Sequence, residues 1–178
     1  MTPTATVPAG KHAEVWAALE ALTDPEIPVV TLRELGILRD VRDGPGGGIE
    51  VVITPTYSGC PAMGQIEDDV QSTLAGLGIE ARVVTQLAPS WTTDWMSEAA
   101  KDKLRAYGIA PPQCGSHGSG GEISVMRFSA RAAAPDIVPC PQCGSKNTTE
   151  TSHFGSTACK ALYRCLDCLE PFDYFKPY

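Results

Sequence analysis

Positive charge is scarce in this chain. Its 14 Lys and Arg residues are outnumbered by 21 Asp and Glu, for a formal net charge of -7, and no basic cluster builds a face that could follow a phosphate backbone. A nucleic-acid partner is therefore not expected. Histidine is scarcer still: only His12, His117 and His153 occur, scattered over loops and ends, which argues against the His and carboxylate set of a di-iron oxygenase. There is no Gly-rich nucleotide fingerprint and no uncharged apolar run long enough to span a bilayer. Met1–Gly10 carries neither the basic patch nor the apolar stretch of a signal peptide. The expectation is a cytoplasmic, globular protein without membrane contact. With 43% hydrophobic residues in 178, the chain has room for one domain of about 100 residues and a small module.

What the chain does have is cysteine: seven, an odd number, four of them in two Cys-x-x-Cys pairs. That usage fits reduced thiols and metal better than a disulfide scaffold. Cys140-Pro141-Gln142-Cys143 and Cys165-Leu166-Asp167-Cys168 can each form a knuckle presenting two sulfurs to one tetrahedral ion. Structural zinc is the expected occupant and iron the rival. Strand-like segments at 148–154, 162–164 and 172–175 complete a small all-β zinc ribbon over residues 136–178, too small to fold on core burial alone. Four Lys or Arg against five Asp or Glu in that segment suit protein docking, not nucleic acid. Cys159 is a further thiol with no partner by spacing, either packed or an alternative ligand, and Cys114 and His117 form a weak Cys-x-x-His pair in a Gly-rich stretch.

The remaining cysteine, Cys60, lies in Thr54-Pro55-Thr56-Tyr57-Ser58-Gly59-Cys60-Pro61, between a β-branched run and a helical stripe formed by Met63, Ile66, Val70, Leu74 and Leu77. Pro61 suits a first helical turn, which would put Cys60 at the N-cap, where free N–H groups favour a thiolate. Gly59 removes bulk beside the sulfur. The bland alternative is a cysteine packed as a small hydrophobe.

Read in order, residues 1–10 are a frayed terminus and Lys11–Thr23 a helix with Val15, Trp16, Leu19 and Leu22 on one face. Asp24-Pro25-Glu26-Ile27-Pro28 stops it, with Asp24 suited to bonding backbone N–H groups two residues on. A strand through Val41, a Gly-rich hairpin loop, a strand at 49–54 (apolar on one face and half buried on the other), the helix to about Leu77 and a strand at 80–87 give an α-β-β-α-β order. The fold class is therefore α/β (α+β): a small mixed sheet of about three to four strands with helices packed on it over residues 11–107, followed by the ribbon. Trp91-Thr92-Thr93-Asp94-Trp95 reads as an anchored lid or core plug ahead of another helix. Residues 108–135 read as a Gly, Pro and Ala-rich linker with a strand-like piece at 122–131.

Asp24-Pro25-Glu26, Leu35-Gly36, the Thr54–Pro61 stretch and Trp91–Trp95 together resemble the small iron-sulfur cluster assembly domain family that includes bacterial SufT. With the ribbon, and with Gly155–Cys165 and Glu170–Lys176, the whole chain resembles the PaaD family of accessory proteins of the phenylacetyl-CoA epoxidase, which serves phenylacetate degradation. The resemblance implies a maturation factor, not an oxygenase: Cys60 would bind a transient iron-sulfur cluster, Asp24 and Glu26 would lie near it and oppose its ionisation, and Thr54, Gly59, Pro61, Trp91 and Asp94 would support it. The implied partners are epoxidase subunits or their iron-sulfur reductase component, with a second copy of the chain as another way to complete a cluster. Two other readings stay open: a structural or adaptor subunit in which Cys60 only packs, and a thiol-dependent enzyme, for which no general base lies near Cys60 in sequence.

Overall fold

The computed structural model describes residues 10–44, 48–113 and 137–178. The strand-like piece at 122–131, Cys114 and His117 lie outside the described residues. Helix α1 (Lys11–Leu19) turns Val15, Trp16 and Leu19 into the core. Strands β1 (Leu38–Asp43) and β2 (Ile49–Ile53) pair antiparallel, Val41 against Val51. Helix α2 (Met63–Gly76) then crosses over to β3 (Ala81–Thr85), which runs parallel to β2 with Val83 beside Val51. The first sheet is thus β1-β2-β3. Ile66, Val70 and Leu74 form the buried stripe of α2, while Leu77, expected on the same stripe, is half exposed beyond the helix end. Gly78 follows at φ +69, the left-handed residue that ends the helix.

The alternation along β2 predicts a strand with one apolar face and one half-buried face. Every residue of this central strand is buried instead, Glu50 included. Arg42 Nε donates to Glu50 Oε2 at 3.2 Å from β1, and Arg82 Nη1 stands 3.9 Å from Oε1 on β3, so the buried carboxylate is neutralised from both neighbours.

After β3 the chain passes through a short 3-10 turn (Thr93–Trp95) to helix α3 (Glu98–Tyr107), whose N-cap Ser97 accepts a hydrogen bond from Ala100 N at 3.0 Å. Trp91 is a core plug: it is 3% exposed and its Nε1 donates to Leu35 O at 3.0 Å. Gly36 beside it has φ +76, and a Cβ there would lie 2.7 Å from Trp95 Cβ and 2.9 Å from Trp95 O. Close approach and left-handed backbone both demand glycine at this position.

Residues 108–113 open the stretch read as linker, yet Ile109–Ala110 form strand β4, parallel to β7 (Pro171–Phe175) of the ribbon. With β5 (Thr148–Ser152) and β6 (Lys160–Cys165), the second sheet runs β4-β7-β6-β5. The ribbon is also sewn to the first sheet's core: Phe175 is 1% exposed and packs with Val15, Leu35 and Trp91 in one cluster, its ring centroid 5.9 Å from that of Trp91. Burying a side chain of this size stabilises the seam by roughly 2–3 kcal/mol.

The Gly36→Ala variant should be destabilised by about 1–3 kcal/mol through strain and the displaced Trp95, measured as a lowered urea midpoint. An unchanged midpoint would show that the Gly36–Trp95 approach is not constrained.

Candidate functional site

Cys60 belongs to a turn, not to a helix end. Helix α2 begins at Met63 with Ala62 as its N-cap, so the sulfur lies before the helix and Pro61 lies outside its first turn. The turn is closed by Cys60 N donating to Tyr57 O at 3.1 Å. This corrects the expectation of a dipole-activated thiolate. Burial pushes the half-buried Cys60 thiol's pKa above its ordinary value of 9.0; a backbone hydrogen bond from Ala62 opposes the shift, while the charges of Cys159, Asp24 and Glu26 add to it. At neutral pH the thiol keeps its proton.

Asp24 is buried and forms the turn expected of it: Oδ1 accepts from Glu26 N at 2.8 Å and from Ile27 N at 2.9 Å. Burial raises its pKa, with those two bonds and Lys160 pulling the other way. Glu26 is exposed on the same turn. Thr54 N donates to Ile37 O at 2.8 Å, and its hydroxyl is buried without a partner among the described residues. That residue lines a cavity of about 260 Å³ with Thr56, Tyr57, Ser90, Trp91 and Tyr178. Gly59 is exposed, and a Cβ there would meet only the Tyr57 ring, at 3.7 Å, so the surface beside the sulfur is open. Asp94 stands exposed in the Thr93–Trp95 turn, and no hydrogen bond or ion pair ties it to the Cys60 loop among the described residues.

The thiol without a partner by spacing, Cys159, also lies here. It stands on the ribbon loop ahead of β6, 8% exposed, with Thr157 Oγ1 at 3.1 Å from its sulfur. Burial raises its pKa as well, against Thr157 and Lys160 and with Asp24. The two loops meet around one peptide: the Tyr57 hydroxyl lies near the Ala158 backbone, and Tyr178 Oη donates to Ala158 O at 3.0 Å. Lys160, 4% exposed, sits behind them, Nζ 3.4 Å from Asp173 Oδ2. Neither Lys160 nor Tyr178 stands out in the sequence, since a lone lysine after a cysteine and a terminal tyrosine carry no spacing signal.

The second group of cysteines is a closed cluster. The sulfurs of Cys140, Cys143, Cys165 and Cys168 all lie within 4.8 Å of one another, with Cys140 and Cys168 at 3.7 Å and Cys143 and Cys165 at 3.6 Å. A tetrahedron with zinc–sulfur bonds of about 2.3 Å has edges of about 3.8 Å, so the spacing fits a four-thiolate ion and leaves no open position. Asp167 fastens the second knuckle to the first: Ser145 Oγ bonds its Oδ2, and Asn147 Nδ2 donates to its Oδ1 at 2.7 Å.

Fold and site together define a small α/β domain carrying a four-cysteine, metal-binding ribbon, and sequence comparison identifies the first domain as of the iron-sulfur assembly type. Residues 12–85 match a family model described as iron-sulfur cluster assembly protein, and residues 127–176 match one described as PaaD zinc beta ribbon domain. The chain is 46% identical over 173 residues to a protein of Escherichia coli (strain K12) named as a putative 1,2-phenylacetyl-CoA epoxidase subunit, covering 97% of this chain and 96% of that one. On that coverage and on the ribbon match, the chain belongs to the PaaD family. Its first half is 36% identical over 94 residues to the Fe-S protein maturation auxiliary factor YitW of Bacillus subtilis (strain 168), covering 51% of this chain and 89% of that one. A crystal structure of a DUF59 domain from Bacillus anthracis, 34% identical, covers 51% of this chain and 88% of that chain with a TM-score of 0.46. The sequence relatives support a maturation or accessory role. No helix among the described residues is long and apolar enough to cross a membrane.

Iodoacetamide should alkylate Cys60 slowly at pH 7, because only the thiolate reacts and the raised pKa keeps it scarce. The rate should climb about tenfold per pH unit up to beyond pH 9, and Asp24→Asn, which removes a negative charge, should speed it at fixed pH; a midpoint below pH 8 would contradict this. Stripping the ribbon's metal with a chelator should unfold the second sheet and shift Trp91 fluorescence, since Phe175 and Tyr178 pack on that ring. Unaltered emission after complete metal loss would contradict it.

Proposed function

We propose that this chain is a maturation factor of a phenylacetyl-CoA epoxidase, one that assists insertion of an iron-sulfur cluster or iron through Cys60 and is itself not catalytic. The observation that carries the reading is the contrast between its two kinds of cysteine. Four sulfurs in the ribbon close a coordination shell, whereas Cys60 is a half-buried thiol on an open loop of a domain matching the iron-sulfur assembly family. A ligand that must release its cargo is better served by few sulfurs than by a complete set. The chemistry at Cys60 agrees: a thiol that is protonated at rest binds metal by giving up a proton and releases it when the proton returns.

Cys140, Cys143, Cys165 and Cys168 would hold a structural zinc, and the ribbon would serve as docking module. The client would be an epoxidase subunit or its iron-sulfur reductase component, a choice supported by the name of the Escherichia coli relative. Thiol-based catalysis is disfavoured by the raised Cys60 pKa. Among the described residues, His12 pairs with Asp43 at 3.2 Å and His153 with Glu150 at 3.4 Å, so both imidazoles are engaged away from the loop.

Anaerobic reconstitution followed by iron counting tests the proposal. Wild type should take up iron above its zinc content, and Cys60→Ser should lose most of that uptake. A Cys60→Ser protein that binds iron as well as wild type would leave only the adaptor reading.

A further inference from the structure

Cys60 does not face solvent alone. Its turn, the Asp24 turn and the ribbon loop Thr157–Lys160 converge, each from a different part of the chain, and carry two sulfurs and a carboxylate into electrostatic range of one another. Both thiols border one apolar cluster, Cys159 within it and Cys60 packed against it. The Ala158 peptide, between Thr157 and Cys159, is bonded by Tyr178 at the end of the chain, and Tyr178 shares a cavity wall with Tyr57 of the Cys60 turn. Asp24 spends Oδ1 on its own turn, and its Oδ2 takes no hydrogen bond among the described residues. A soft pair of sulfurs with one hard oxygen suits iron better than magnesium or calcium, which prefer all-oxygen sets.

We propose that Cys159, delivered by the ribbon, is a second sulfur ligand beside Cys60, and that the two thiols and Asp24 Oδ2 hold iron as it passes through the protein. The inference rests on the maturation reading and deepens it: the ribbon becomes part of the carrier site as well as a docking module. Unlike the ribbon's four sulfurs, these donors are not gathered within 4.8 Å of one another. Holding one metal would therefore draw these donors together, which suits a site that also lets go. Binding forms two sulfur–metal bonds and one oxygen–metal bond. Each thiol that is still protonated passes its proton to solvent, and the metal's oxidation state is unchanged.

Cobalt(II) added anaerobically to the zinc-loaded chain tests this, because thiolate-bound cobalt absorbs through sulfur-to-metal charge transfer. Wild type should bind one cobalt beyond its zinc. Cys60→Ser and Cys159→Ser should each weaken that binding by about tenfold or more and cut the charge-transfer band by about half, with zinc content and thermal midpoint preserved. Normal cobalt binding by Cys159→Ser, with binding lost in Cys60→Ser, would overturn the role of Cys159 while leaving Cys60 as carrier. Normal binding in both variants, or no extra cobalt in wild type, would overturn the shared site. Should Cys159→Ser fail to fold, wild type alone decides: cobalt should protect both Cys60 and Cys159 from alkylation, and protection of Cys60 only would overturn the proposal.

Discussion

The carbonyl of Ala158 accepts a hydrogen bond from Tyr178 Oη at 3.0 Å, and Tyr57 of the first domain lines the same cavity as Tyr178. This small clasp ties the ribbon loop to the end of the chain beside the Cys60 turn, and the arrangement of the site depends on it. It is backed by apolar packing: the rings of Phe175 and Tyr178 lie at 5.9 Å and 6.4 Å from Trp91, and Trp91 is itself anchored on Leu35 O. Lys176 N also donates to Cys159 O at 2.9 Å, so the residue after β7 holds the backbone of the second thiol directly. A ribbon attached only by a linker would sample many orientations; this one is pinned by strand pairing, by a buried aromatic and by the Ala158 clasp.

The cysteines then divide by environment. Those of the ribbon are packed so closely that ionising one affects the next. Cys165 is pulled down to about 7, chiefly by the Cys168 backbone N–H, while at Cys168 a backbone bond from Glu170 is outweighed by burial and by its thiol neighbours, which push it up to about 12. Four such groups cannot all ionise without a cation among them, which is the electrostatic case for a resident metal. Cys60 and Cys159 are instead kept protonated, first by burial and then by nearby carboxylates, with Cys159 adding to the effect at Cys60. Under the proposed function the first group is structural and the second is reversible.

Much of this is legible in the sequence because it is written in local spacing. The stripe of α2, the left-handed Gly78, the Asp24 turn and the two Cys-x-x-Cys knuckles each involve residues a few positions apart, and periodicity or turn chemistry reads such patterns directly. The demand for glycine at position 36 is a different matter. It comes from Trp95, which is brought alongside only by the fold. Local spacing also misleads at Cys60, because Pro61 imitates a first-turn proline; the loop spends two more residues turning before the helix starts at Met63. The position of Cys159 is out of reach of any local pattern, since its neighbours come from residues 24 and 57–60, with most of the chain in between. So is the burial of both faces of β2, where Glu50 is matched by Arg42 and Arg82 from the neighbouring strands.

Whether the two loops share one metal is the central question. Crystals of the zinc-loaded protein, exposed anaerobically to iron(II) and measured at the iron absorption edge, would locate that metal directly. The expected result is an anomalous peak bounded by Cys60, Cys159 and Asp24, separate from the zinc among the four ribbon sulfurs. Iron confined to the ribbon cluster, or bound at Cys60 with Cys159 turned away, would contradict it.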